Sequence, residues 1–343
     1  MRIRATAAVA VVSGALALTA VAIPAAQATG ASGASGAFPA HGGWASAHRF
    51  AVGTSAAGPE AGSAAKPAVK EATSAATSAA ASAATTAAEP YPLAVTFSQL
   101  KVDNGKPAVV VGTTNTVHVP FSFTLTATNV DVRAADFYAG VDLYRGSANT
   151  PSNDLFGDNP PKCSVTSSTS SANSVVTVES CKGTVDIYPG QDLTLKDAGT
   201  GWHSVAWAVA LNGQDGDNPD PSKIGQAALT GQHAPAIQRY ATLTASAKPK
   251  PVKKGGTVTV TGKLSRANWD THKYAGYTGQ PVKLQFRKKN SSTYTTLKTV
   301  KTDSHGNLKT TYKATADGYW RFSFAGTSTT PAVSAAGSHV SLK

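Results

Sequence analysis

Residues 212–222, "NGQDGDNPDPS", set three carboxylates, Asp215, Asp217 and Asp220, within six residues. Calcium takes six to eight oxygen ligands at about 2.3–2.6 Å, and carboxylates at alternating positions supply several from a short arc of chain. Gly216, between Asp215 and Asp217, is free to take the backbone angles that fold such an arc inward. Asn212, Asn218 and Asp220 add side-chain oxygens. The candidate metal ligands are therefore Asn212, Asp215, Asp217 and Asp220, with calcium as the cofactor. A metal-free turn is the competing reading, because Asp, Asn, Gly and Pro are what ordinary turns use. The stretch is not an EF-hand: counted from Asp215, position 6 is Asp220 where glycine is required, and position 12 is Gln226 instead of glutamate. An echo, "GDNP" at residues 157–160, either completes a shared site or forms a second turn.

A second kind of chemistry is suggested by charge. Residues 241–343 carry 17 Lys and Arg against 3 Asp and Glu, whereas residues 91–240 carry 9 against 13, within a chain of net charge +12. Lys253, Lys254, Lys283, Arg287, Lys288 and Lys289, with Lys298, Lys301 and Lys309, could line a face that attracts polyanions. The partners such a face would suit outside a cell are an anionic cell-wall polymer, acidic polysaccharide or extracellular DNA. No nucleic-acid-binding motif is present, and the aromatics Trp269, Tyr274 and Tyr277 form no stacking array in the sequence. The alternative is a solvated strand face whose lysines block edge pairing.

Catalytic signals are absent. The sequence holds no nucleophile elbow, no phosphate-cradling glycine loop, no His-Glu-x-x-His helix and no Cys-x-x-Cys pair, and its 8 histidines are scattered singly. His203 alternates in step with Val205, Trp207, Val209 and Leu211, which predicts a place at the rim of a core face and a core role for Trp207. Trp202 falls out of phase with them and reads as a candidate exposed ring for sugar stacking. The expectation is a protein without enzymatic activity.

The elements that carry these residues start with an export signal. Arg2 and Arg4 precede an apolar run over residues 5–23, and Ala26-Gln27-Ala28 closes it, which predicts a secretory signal peptide over residues 1–28 and an extracellular or wall-associated protein. No later stretch is long and apolar enough to span a bilayer. Cys163 and Cys181 are the only cysteines, so one disulfide is expected in that compartment. Residues 29–90 are Ala, Ser, Thr and Gly almost throughout and read as a disordered stalk.

Beyond Pro90 short runs alternate in polarity, clearest in "TVHVPFSFTLTAT" from Thr116, and Gly, Pro, Asn and Asp separate them. "TVTVTGKL", "PVKLQFRKK", "YTTLKTVKTD", "NLKTTYKAT" and "YWRFSFAG" repeat the pattern after Ala241, with "DSHGN" at residues 303–307 predicted as a hairpin turn. The fold class predicted is all-β: an acidic β-sandwich over residues 91–240 and a basic immunoglobulin-like β-sandwich over residues 241–343.

Several longer stretches carry a resemblance. "VVVGTTN", "LYRG", "CKGTVDIYP", "NGQDGD", "TVTGKLSRANWDTHKYAGYTGQPVKLQFRKK" and "FAGTSTTPAV" together resemble a family of secreted actinobacterial proteins of unknown function. The likeness runs through nearly all of residues 91–343. Members are sometimes labelled calcium-binding, which implies a role for Asp215, Asp217 and Asp220. The long Ala/Ser/Thr stalk departs from the family pattern.

Overall fold

The computed structural model describes residues 90–148, 151–214 and 220–343. The expected signal peptide, all of the expected stalk but Pro90, and the two carboxylates Asp215 and Asp217 lie outside the described residues. The chain folds as two β-sandwiches in tandem.

The first sandwich is built from β1 (Tyr91–Pro92), β2 (Val95–Val102), β3 (Ala108–Val111), β4 (Val117–Thr128), β5 (Phe137–Gly146), β6 (Pro151–Leu155), β7 (Lys162–Ser171), β8 (Ser174–Ile187), β9 (Trp202–Ala210), β10 (Gly225–His233) and β11 (Ala236–Arg239). One sheet runs β1-β10-β9-β5-β6 and the other β2-β4-β8-β7, while β11 and β3 form a short parallel pair. On β4 the alternation does what period 2 requires: Val119, Phe121, Phe123, Leu125 and Ala127 are buried, and the residues between them are not. The runs "VVTVES" and "GTVDIY" are halves of one strand, β8.

β9 departs from simple alternation because both of its faces are covered. Trp202, Ala206, Ala208 and Ala210 enter the main core, while Val205, Trp207 and Val209 join Tyr144, Leu211 and Ile224 in a second apolar cluster on the other face. Trp202 is thus not an exposed sugar platform. It is 3% exposed, and its Nε1 donates to the carbonyl of Asp197 at 2.9 Å. Trp207 is buried as expected and donates to Asp142 Oδ1 at 3.0 Å, while His203 is half-buried and stacks on Tyr144. The Trp207 ring packs against β5 at Gly140, where an added Cβ would come within 2.5 Å of it.

Cys163 and Cys181 face each other across the β7–β8 ladder and are joined in a disulfide. On the same face of β8 as Cys181, Glu179 is a carboxylate inside the core, 2% exposed, and Arg133 reaches in from the loop after β4 to pair with it at 3.1 Å. Burial pushes the Glu179 carboxyl up from its ordinary pKa, and Arg133 only partly opposes that.

The second sandwich consists of β12 (Ala241–Leu243), β13 (Ser246–Lys248), β14 (Thr257–Asn268), β15 (Lys273–Gly276), β16 (Pro281–Lys288), β17 (Thr295–Lys301), β18 (Asn307–Lys313), β19 (Gly318–Phe324), β20 (Val333–Ser334) and β21 (Ser338–Val340). β14 is the spine of one sheet, pairing with β12, β13, β15 and β18. The other sheet orders as β17-β16-β19, with β20 and β21 both on the free side of β19. Val258, Val260, Leu264, Val282, Leu284, Trp320 and Phe322 fill the space between them. The turn at residues 303–307 is not a hairpin turn: β17 pairs with β16 and β18 with β14, so this connection crosses from one sheet to the other. Asp303 caps it by accepting from the backbone N–H groups of His305 and Asn307.

The joint between the sandwiches is closed. Tyr240 alone separates β11 from β12. Trp269, just past the end of β14, is fully buried in the core of the first sandwich together with Ala267, and its Nε1 donates to the Gly112 carbonyl at 2.9 Å. Arg239 donates from Nε to the Ala267 carbonyl at 2.6 Å, and Asp270 accepts the Leu195 N–H at 3.0 Å. Burial, with Arg266 nearby, lowers the Arg239 pKa to about 10, which still leaves it charged at neutral pH.

Three outcomes are expected. Trp269→Ala should cost about 3–5 kcal/mol, as large buried aromatics do, and should expose both sandwiches to limited proteolysis together. Damage confined to the second sandwich would show the joint to be superficial. A carboxyl whose folded pKa lies above its unfolded value holds its proton more tightly in the fold, so stability falls as pH rises from the unfolded value, about 4.3, through the folded one. Urea midpoints of the wild type should therefore drop relative to Glu179→Gln between pH 4 and pH 8. Parallel profiles would refute the buried-carboxylate account. Reducing the disulfide should raise amide exchange first in β7, a sheet-edge strand exposed along almost its whole length, and leave β4 protected.

Candidate functional site

The described part of the loop at residues 212–222 is held by its own polar groups. Asn212 adopts a left-handed backbone (φ 52°), and its Nδ2 donates to Tyr91 Oη at 2.6 Å and to the Lys223 carbonyl at 2.8 Å. Asp220 caps the short 3-10 turn Pro221–Lys223, accepting from Ser222 N and Ser222 Oγ on Oδ1, while Oδ2 pairs with Lys223 at 3.3 Å. The hydrogen bonds from Ser222 lower the Asp220 pKa. A further carboxylate that the sequence did not single out, Asp136, accepts the Gly213 N–H at 2.7 Å. Asn212 and Asp220 thus close a loop, and Asp215 and Asp217 lie outside the described residues.

Two other groups in the first sandwich have reactive residue types. Cys163, Glu179 and Cys181 come close enough together to share a metal ion, but both sulfurs are committed to the disulfide. His118 and Asp186 face each other across β4 and β8, with Nδ1 2.5 Å from Oδ1, and Asp186 is buried. Asp186 also accepts the Asp158 N–H at 2.8 Å, and the Tyr188 hydroxyl donates to Asp158, so hydrogen bonds tie the "GDNP" echo to the end of β8. A histidine oriented by a carboxylate suits acid–base work. Among the described residues no hydroxyl or thiol is hydrogen-bonded to His118.

In the second sandwich, backbone pairing gathers lysines that are far apart in sequence. Lys313 ends β18 opposite Thr257, and Gly255 N–H bonds the Ala314 carbonyl, which brings the turn carrying Lys253 and Lys254 beside it. Val252 bridges Leu342, whose N–H is accepted by Asp317, and the Asp317 carbonyl takes the N–H of Lys289. Lys288 pairs with Gly318 in the β16–β19 ladder. Lys253, Lys254, Lys288, Lys289 and Lys313 are all exposed and crown one end of the sandwich, the end remote from Trp269. Among the described residues none of the five is in an ion pair.

The remaining candidates lie elsewhere. Lys283 is exposed on the outer face of β16, level with Ser323 and nearer the joint, and Lys298 donates to the Thr311 carbonyl across the gap between sheets. Trp269, Tyr274 and Tyr277 do not join the lysines: Trp269 is buried in the joint, Tyr274 packs on Tyr240, and Tyr277 lies under Arg266. An aromatic array does exist, on residues the sequence reading passed over. Arg287 stacks on Tyr319 at 3.9 Å, and Arg321 stacks on Tyr294 at 3.7 Å. The strict alternation of "YWRFSF" carries the signal, since burying Trp320 and Phe322 turns Tyr319 and Arg321 to the outer face.

No family model matches the chain, and no curated protein matches it in sequence. Solved structures do align with it. The D0-D1 domain of intimin is 19% identical over 71% of this chain and 98% of its own, with a TM-score of 0.22. The adhesin InvE of Yersinia pseudotuberculosis is 11% identical over 70% of this chain and 58% of its own, with a TM-score of 0.21. The ectodomain of mouse nectin-like molecule 4 is 12% identical over 73% of this chain and 62% of its own, with a TM-score of 0.20. At those TM-scores the likenesses carry no argument about site or ligand, and the functional reading rests on the chain's own geometry.

Proposed function

We propose that this protein is an exported, non-enzymatic surface-interaction module whose second sandwich binds an anionic extracellular polymer. The observation that carries the reading is the crown of Lys253, Lys254, Lys288, Lys289 and Lys313, contributed by three separate segments and, among the described residues, engaged in no ion pair. Unpaired like charges repel, and a polyanion that gathers them gains both direct attraction and the release of its own counterions. Of the three acids in this sandwich only Asp317 stands at the crown, where the five lysines outnumber it. Asp270 accepts a backbone N–H at the joint, Asp303 caps its own turn at the other end of β18, and Asp317 accepts from the backbone of Leu342.

Export is supported by the leader-like residues 1–28 and by the disulfide, which suits an oxidising compartment. Among the described residues no helix is long and apolar enough to cross a membrane. This reading does not draw on calcium: Asp220 already caps its own turn and pairs with Lys223.

Binding of the full chain to inorganic polyphosphate, followed by fluorescence anisotropy, tests the proposal. Affinity should fall by roughly tenfold or more between 50 and 200 mM salt, the behaviour of a multi-phosphate contact. Replacing Lys253, Lys254, Lys288 and Lys289 by Gln should remove most of that salt dependence, and a chelator should leave binding unchanged. Equal affinity in the quadruple variant would overturn the assignment.

A further inference from the structure

The outer face of the sheet containing β16 and β19 carries a site of a different kind from the lysine crown. Lys283, Gln285 and Arg287 alternate outward along β16, and Ser323, Arg321 and Tyr319 stand opposite them, pair by pair, on β19. Tyr294, from the loop after β16, lies between the two guanidinium groups, with Arg321 3.7 Å and Arg287 5.4 Å from its ring centre. Arg287 is fixed further by stacking on Tyr319 and by donating from Nη1 to the Ser291 carbonyl at 2.8 Å. Arg321 is fixed by donating from Nε to Gln285 Oε1 at 2.8 Å.

Each arginine is therefore held in place with one donor used. A guanidinium has five N–H donors in a planar fork matched to a two-oxygen anion. Among the described residues neither fork has a carboxylate partner, and neither has a second hydrogen-bond acceptor. Holding two half-buried, positively charged groups near one another without a counter-ion costs stability. A bound anion would offset that cost.

We propose that this face is a binding site for a carboxylated polysaccharide, a uronate-type chain, in which Arg287 and Arg321 each grip a carboxylate. This rests on the anionic-polymer reading above and narrows it. Three observations favour uronate over nucleic acid. Base stacking needs open aromatic faces, and the faces of Tyr294 and Tyr319 are taken by guanidinium groups. The neighbours of the arginines are neutral hydrogen-bonding groups suited to sugar hydroxyls: Gln285, and the Ser323 hydroxyl, which lies 2.9 Å from that of Ser334. The outward residues of β16 and β19 form paired rows, Lys283 with Ser323, Gln285 with Arg321 and Arg287 with Tyr319, a linear arrangement that suits an extended chain.

Tyr294 gives the site a positioning control. Its hydroxyl lies over Gly337, where an added Cβ would come within 2.3 Å of it. Gly337→Ala therefore pushes the ring out from between the arginines without changing any charge.

The experiment compares polygalacturonate, inorganic polyphosphate, dextran and single-stranded oligothymidylate as probes of the full chain. The expected result is polygalacturonate binding reduced about tenfold or more by Arg287→Lys with Arg321→Lys, since lysine keeps the charge but loses the fork and the stacking. Polyphosphate binding should change less than twofold in that variant. Gly337→Ala should reproduce the selective loss. Polyphosphate binding without polygalacturonate binding would overturn the uronate site and leave the lysine crown standing. Failure of both polymers to bind would overturn the crown as well. Equal losses for both polymers, dextran binding as tight as polygalacturonate, or tighter binding of oligothymidylate would each reject the fork as a carboxylate reader.

Discussion

The indole of Trp269 has to be dehydrated somewhere, and the second sandwich cannot do it. The side chain sits beyond the end of β14, past the layer that Val258, Val260 and Leu264 fill. It is the first sandwich that encloses it, together with Ala267, and supplies the Gly112 carbonyl for its N–H. A buried aromatic is worth several kcal/mol and tolerates little displacement, so the relative placement of the two sandwiches follows from where this one ring fits. Arg239, Gln238 and Asp270 add hydrogen bonds around it that only that placement satisfies. The joint behaves as a shared core, and the single residue between β11 and β12 leaves no slack for a hinge.

Fixing the joint also sorts the charges. Anions in the first sandwich are largely turned inward to structural tasks: Glu179 to Arg133, Asp142 to Trp207, Asp197 to the backbone and hydroxyl of Thr194. In the second sandwich the acids are few and are used as caps, while its cations are left at the surface. The segregation that composition shows as a difference between halves of the chain becomes, in three dimensions, a crown at one pole and a pair of stacked arginines on one face.

The alternating runs were the legible part of the fold. β19, and β4 from Val119 onward, bury one residue in two, and β14 and β16 begin the same way, so period 2 is visible without a structure. β7 escaped because "KCSVTSSTSS" buries nothing that would mark a face; it is a strand only because β8 and the disulfide hold it. β9 misled in the phase of Trp202, since alternation presumes one wet face and β9 has none. The connection at residues 303–307 has the composition of a hairpin turn, and composition does not say whether the next strand returns to the same sheet. Lys253, Lys254, Lys288 and Lys289 were legible as residue types, but their assembly depends on the Val252–Leu342 bridge and the β16–β19 register, which join segments many residues apart. Tyr294 and Tyr319 gained their meaning from the arginines above them, a relation between strands that a single sequence does not display.

β14 has a mechanical consequence. Its 12 residues span about 40 Å, from Thr257 beside the crown to Asn268 at the lip of the joint. β18 pairs with the Thr257 end and β15 with the Asn268 end, so the strand is clamped along its length. A polymer tugging on the crown would load those ladder hydrogen bonds in shear, many at once, and deliver the strain to a tryptophan that must be dragged out of its neighbour's core before the sandwiches part. Such a strand acts as a tie-rod, and the protein built around it is suited to holding on under tension.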